Sequence, residues 1–126
     1  MEHPFLTRIT EGPLLADGAM GTMLYARGVP FDQCFDALNI TTPAVVEGIH
    51  RDYVAAGAEL IETNTFGATR FKLAAHGLEA QVADVNRVGA ALARRVADAS
   101  GHRVFVAGSM GPVGRPMAPL GTLTGT

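Results

Sequence analysis

Cysteine occurs once in the 126 residues, at Cys34. That excludes an internal disulfide, and it excludes a zinc site built from this chain's cysteines alone. A lone thiol fits a reducing compartment. Basic excess is also missing. Ten Lys and Arg stand against twelve Asp and Glu, for a net charge of −2 and a pI near 6.0. The cations are scattered, with only Arg94 and Arg95 adjacent. A nucleic-acid binder would show a basic stripe, so no nucleic-acid partner is expected. No apolar run approaches the roughly 18 residues of a membrane span. The opening MEHPFLTRITEGPLLADG is too polar for a signal peptide. The expectation is a soluble, cytoplasmic protein with no membrane partner. GAMG and GSMG do not make the GxGxxG fingerprint, which argues against a dinucleotide site. His3, His50, His76 and His102 share no metal-site spacing and are expected to be surface or local capping groups.

What is present is apolar bulk: 48 % of residues are hydrophobic, enough for a core and too many for a disordered chain. Three short apolar runs read as strands: PLLAD (13–17), ELIET (59–63) and RVFVAG (103–108). None alternates, which is the pattern of parallel strands covered on both faces. Their starts lie about 45 residues apart, leaving room for a crossover helix between each pair. The first such helix is TPAVVEGIHRDYVAAGA, with Thr42 at the N-cap and Pro43 at the first helical position. Val45, Val46, Ile49, Tyr53 and Ala56 form its stripe, and Gly57 stops it. ATRFKLAAH reads as a second helix ending at Gly77. A third runs from about Glu79 to Ala99, with Val82, Val85, Leu92 and Val96 on one face. A short helical turn is expected within 19–27. The order is β-α-β-α-β, an α/β arrangement with right-handed crossovers.

Each predicted strand ends in a glycine-bearing bend: DGAMGT, TNTFGAT and GSMGPVG. Ligands bind at that edge of parallel sheets. Residues alone leave two readings for each bend. Asp17 with Gly18 suits a ligand contact or a plain turn. Asn64 is a helix-entry cap, or it hydrogen-bonds a neighbouring loop or a ligand, and Phe66 is a core residue or a pocket wall. Thr63 or Thr65 can turn a hydroxyl inward. Ser109, Gly111 and Pro112 form a tight turn with free N–H groups, beside a pocket or away from one. Glu62 on a buried strand needs a partner, and Arg70 is the candidate. The segment 27–41, RGVPFDQCFDALNIT, either covers the mouth of a site or merely links elements. The final PVGRPMAPLGTLTGT reads as a loop with no helix after it. Three parallel strands do not close a barrel and leave bare outer edges. The tail is either a disordered end on a small three-strand domain or, as favoured here, the sign of a chain cut from a longer sequence or assembling with missing parts.

Taken together, LLADGAMGTML (14–24), ALNITTPAVVEGIHRDYVAAGAELIETNTFGATRFKLAAHGL (37–78) and VAGSMGPVG (106–114) resemble the homocysteine S-methyltransferase family. The resemblance is nearest to its methionine synthase-like branch and to members fused to a methylenetetrahydrofolate reductase. It implies a (β/α)8 TIM barrel, with 1–126 as a partial homocysteine-binding domain supplying about three N-terminal β/α units. It implies methyl transfer to the thiol of homocysteine, with methylcobalamin or methyl-folate as donor. Partners would be the remainder of the barrel and a fused reductase or cobalamin domain. It places Asp17 and Gly18 in contact with homocysteine, Asn64 and Phe66 on the pocket floor, and Ser109 and Gly111 at its border. The family holds zinc through three cysteines on later strands. Cys34 matches none of them, so no metal ligand and no catalytic residue is expected here. The alternative is a non-catalytic truncated barrel module that binds a small amino acid or assembles with a partner.

Overall fold

The computed structural model describes residues 2–125. Its sheet is parallel and has two strands, β1 (Leu60–Glu62) and β2 (Phe105–Ala107), in the register Leu60 to Phe105, Ile61 to Val106 and Glu62 to Ala107. The first expected strand does not form as one. PLLAD contributes a single parallel bridge, Ala16 to Leu60. Two hydrogen bonds make it: Glu59 N–H donates to the Leu15 carbonyl (2.8 Å), and Asp17 N–H to the Leu60 carbonyl (2.9 Å). The run lies at the outer edge with a partner on one side only, and Pro13 has no N–H to add. The expected order and direction of the three runs hold, with β1 in the middle.

Among the described residues there are six α-helices. α1 (Pro4–Thr10) and α2 (Gly21–Ala26) are short, as is α3 (Leu38–Thr41). α4 (Pro43–Ala55) and α6 (Val82–Ala99) are the two crossovers, and α5 (Arg70–Ala74) is a brief turn between them. α4 follows its sequence signals. Pro43 opens it and Gly57, at φ +107°, turns the chain out of it. Thr42 occupies the N-cap position, yet its side chain makes no capping bond. α5 is shorter than its pattern, although Thr69 caps it by accepting from Lys72 N–H (3.1 Å). A single 3-10 turn, Glu79–Gln81, precedes α6.

The helices pack because their apolar stripes face each other and the sheet. Leu24 of α2, Leu38 of α3, Val46 and Ile49 of α4 and Leu92 of α6 form one buried cluster. Ile61 of β1, Ala93 and Ala97 of α6, Ala58 and Val104 form a second. Each fully buried Leu, Ile or Val stabilises by about 1.5–3 kcal/mol relative to exposure. The small residues of α6 let its backbone lie close on β1. One residue overturns its sequence expectation here. His50 is not at the surface: it is fully buried in α4, with no partner for either ring nitrogen. Desolvation pushes its pKa down to about 4, against a smaller pull upward from Glu47.

α1 was not legible as a helix. Pro4 starts it, and the His3 ring accepts from Phe5 N–H (3.3 Å). It packs at the strand-start end of the sheet. Phe5 meets Phe105 edge-on at 5.4 Å, and the Arg8 guanidinium grips both oxygens of Glu59 at 2.7 and 2.8 Å.

Candidate functional site

The opposite end of the sheet carries the three bends, and they converge. A cleft of about 310 Å³ is lined by Asp17 and Gly18 from the first bend, Asn64 and Phe66 from the second, and Ser109 from the third. Met20, Glu62, Thr63 and Thr65 complete most of its wall. Five of the six residues singled out in the sequence therefore share one cavity. Gly111 stands just behind it.

Asp17 is held by one oxygen. Its Oδ2 accepts from Glu62 N–H at 2.9 Å, while Oδ1 is buried without a hydrogen-bond partner. Burial pushes its carboxyl above the ordinary carboxylate range, and the Glu62 N–H bond opposes part of that rise. A buried carboxylate oxygen with no donor is costly unless something fills the gap. Gly18 has a packing reason as well as an open rim. A Cβ there would fall 3.0 Å from the Tyr53 hydroxyl, which itself donates to the Ala19 carbonyl at 2.7 Å.

The second and third bends are locked together. The Thr65 hydroxyl donates to the Ser109 carbonyl (2.8 Å). The Thr63 hydroxyl accepts from Ser109 N–H (3.0 Å) and lies 2.6 Å from the Thr65 oxygen. Since the Thr65 proton is spent on a carbonyl, the Thr63 proton bridges the two hydroxyls. Gly111 N–H donates to the Phe66 carbonyl (3.0 Å). A Cβ on Gly111 would stand 2.3 Å from that oxygen, so only glycine permits the approach. The expectation of free N–H groups in GSMGP is thus corrected: those of Ser109 and Gly111 are both spent within the chain. The Ser109 hydroxyl keeps no partner among the described residues.

Asn64 follows the loop-bonding reading. It lines the cleft, but its amide protons face backward, to the Phe35 carbonyl (2.9 Å) and to Asn39 Oδ1 (3.0 Å). Asn39 returns two bonds, to the Asn64 carbonyl (2.8 Å) and the Val85 carbonyl (3.1 Å). Asn39 is fully buried, and sequence reasoning missed it. The available signal was an amide inside the otherwise apolar ALNI. Behind the same bend, Asp36 Oδ1 accepts from Gly67 N–H (3.1 Å). Burial raises the Asp36 carboxyl, with that bond opposing. The segment 27–41 thereby clamps the second bend from behind. It also walls a neighbouring cleft of about 370 Å³, in which Phe35 and Asp36 face Met20 and Phe66.

Phe66 is 62 % exposed and stands between these two clefts. It is a wall and not part of the core. Glu62 is exposed, and Arg70 is not its partner. The Arg70 guanidinium lies over the Phe71 ring at 4.8 Å.

Among the described residues no group of three or more His, Cys, Asp or Glu is placed to hold a metal ion. Cys34 is half-buried against Ala68, Leu73 and Val85. Zinc takes three or four N, S or O side-chain ligands, so the rim residues present do not fit it. No helix among the described residues is long and apolar enough to cross a membrane.

The comparisons with known proteins agree with one another. The methionine synthase of Mycobacterium tuberculosis is 40% identical over 122 residues, covering 90% of this chain and 10% of that protein. The methionine synthase of Mycobacterium leprae is 39% identical over 125 residues, with 92% and 10% covered. This chain thus spans about a tenth of the length of these relatives. Among solved structures, the metallated form of the homocysteine methyltransferase MmuM from Escherichia coli superposes with a TM-score of 0.75 at 32% identity. Its oxidised form gives 0.78 at 33%. These matches cover 87% and 90% of this chain and 42% of each MmuM chain. A sequence profile described as Homocysteine S-methyltransferase matches residues 14–125. With its three bends gathered on one cleft and this profile running through all of them, the chain belongs to the homocysteine S-methyltransferase family.

Proposed function

We propose that the cleft binds the amino-acid end of homocysteine, and that this chain supplies substrate-binding parts for methyl transfer to the homocysteine sulfur. The observation that carries this reading is Asp17, whose Oδ1 has no hydrogen-bond partner, on the wall of a cavity shared by all three bends. An ammonium group placed there completes the carboxylate's hydrogen bonding and holds it in the charged form. The Ser109 hydroxyl is a donor for the substrate carboxylate. Phe66 offers an apolar face to the two methylene groups. Asn64 acts through backbone placement, its amide being engaged elsewhere.

In this reading the chain forms an N-terminal portion of a (β/α)8 barrel, and the donor is methylcobalamin or a methyl-folate. The zinc ligands lie outside the described residues. What these residues perform is binding and orientation: one end of the substrate is fixed at Asp17, so the sulfur end projects from the pocket along Phe66.

The test is calorimetric titration of homocysteine into the full-length protein, with Asp17→Asn as the variant. Losing a charge-assisted bond to an ammonium weakens affinity by tenfold or more, since such bonds contribute about 1.5–3 kcal/mol. Equal affinity in the variant would remove the reading.

A further inference from the structure

Of the ten Lys and Arg residues in the chain, seven lie within ion-pair distance of a carboxylate. Arg70, Lys72 and Arg115 are the three that do not, among the described residues. They are not dispersed. The Arg70 and Arg115 guanidiniums both lie over the ring of Phe71, at 4.8 and 5.5 Å from its centre. The Lys72 ammonium rests against Gly114, at 3.4 Å from where a Cβ would stand on that residue. Two separate stretches of chain therefore bring two exposed cations to one aromatic ring, with a third, Lys72, beside the stretch that carries Arg115. Crowding like charges is unfavourable, and a one-sign patch attracts counter-charge. That these three alone lack carboxylates, in a chain of net charge −2, marks the patch as a place where an anion is accommodated.

Its position ties it to the cleft. Arg70 comes four residues after Phe66, and Arg115 four residues after Gly111. Those two anchors are the pair joined by the Gly111 N–H bond to the Phe66 carbonyl. The patch is thus carried by the same two bends that wall the cavity. The cleft's own ligand needs none of it, because Asp17 and Ser109 already answer the two charges of an amino acid. The reading of the cleft as a homocysteine site, on which this inference rests, calls for a second substrate to meet the sulfur from outside.

We propose that Arg70 and Arg115 over Phe71, with Lys72 beside Gly114, form a docking site for an anionic group on that methyl donor. The chemistry recognised is multiple negative charge on oxygen, as a set of carboxylates or as a phosphate. Guanidinium forks take either group in two-point fashion.

The experiment uses the full-length protein and the triple variant Arg70→Gln, Lys72→Gln, Arg115→Gln. Triglutamate and inorganic phosphate are each titrated calorimetrically at low salt, with homocysteine titrated in parallel. Exposed ion pairs contribute little singly, so about a two- to fivefold loss per cation is expected, and at least about tenfold for the triple. Saturable probe binding that the triple variant loses, with homocysteine affinity unchanged, supports the proposal. Binding of triglutamate alone identifies the carboxylate source, and of phosphate alone the phosphate source. No binding of either probe to the wild type, or equal binding to the variant, overturns it while leaving the homocysteine reading intact. Failure of homocysteine itself to bind removes the homocysteine reading, and the donor role with it.

Discussion

Asn39 and His50 are both polar, both fully buried, and opposite in circumstance. Asn39, behind the rim, spends both amide protons and its oxygen on partners 25 and 46 residues away. His50, inside α4, has no partner for either nitrogen. The first ties three segments together. The second is tolerated only as a neutral ring. Burial alone does not distinguish a structural polar group from a liability; the partner list does.

The largest expected effect comes from removing the satisfied partner. Asn39→Ala leaves the Asn64 carbonyl and one Asn64 amide proton without bonds and removes the second bond to the Val85 carbonyl, which α6 already engages. We expect a loss of about 4 kcal/mol of stability by urea unfolding, several buried groups being orphaned together. Homocysteine affinity should fall with it, because the bend carrying Phe66 loses its rear support.

The His50 side of the comparison is tested by pH. Its folded pKa, about 4, lies below the ordinary value near 6.5. The unfolded chain therefore binds more protons between these limits. The stabilising effect is complete above about pH 6.5 and is lost as pH falls toward 4. The difference amounts to about 3 kcal/mol. Subtracting the pH 4-to-7 stability change of His50→Leu from that of the wild type isolates it. A wild-type profile identical to that of the variant would contradict the burial argument.

Glycines sharpen the contrast at lower energies. On Gly89 of α6, a Cβ would meet Asn39 Nδ2 and Thr65 Cγ2 at 2.7 Å each. Gly89→Ala should cost about 2 kcal/mol by overpacking, read as a lower melting temperature. Gly48 of α4, two residues from His50, has nothing within 4 Å of such a Cβ. There Gly48→Ala should raise stability by about 0.5–1 kcal/mol through helix propensity, the smallest shift of the series.

The same contrast explains what the sequence disclosed. α4 and α6 were legible because their apolar spacing is long and punctuated by Pro43, Gly57 and Gly101. The three bends were legible because glycine and small polar residues end apolar runs. Asn39 was not, since its partners come from other parts of the chain. His50 was misplaced because α4 faces both the sheet and its neighbouring helices, so its buried arc is wider than a single stripe. α1, at seven residues, was too short to show a period. PLLAD looked like a strand by composition, while pairing at one edge reduced it to a bridge. At the site, co-location of the bends followed from parallel order and a loop bond from Asn64 was among its readings, but the internal spending of the Ser109 and Gly111 N–H groups depends on partners distant in the chain.

The hydroxyl lock of Thr63, Thr65 and Ser109 has a mechanical result. With the Gly111 bond, it makes the second and third bends one stiff jaw. Among the described residues, the first bend is tied to the base of that jaw by one side-chain hydrogen bond, Glu62 N–H at the end of β1 to Asp17 Oδ2. The first bend is therefore the least firmly tied of the three, and on the proposed reading it is also the one that carries the ammonium-binding carboxylate.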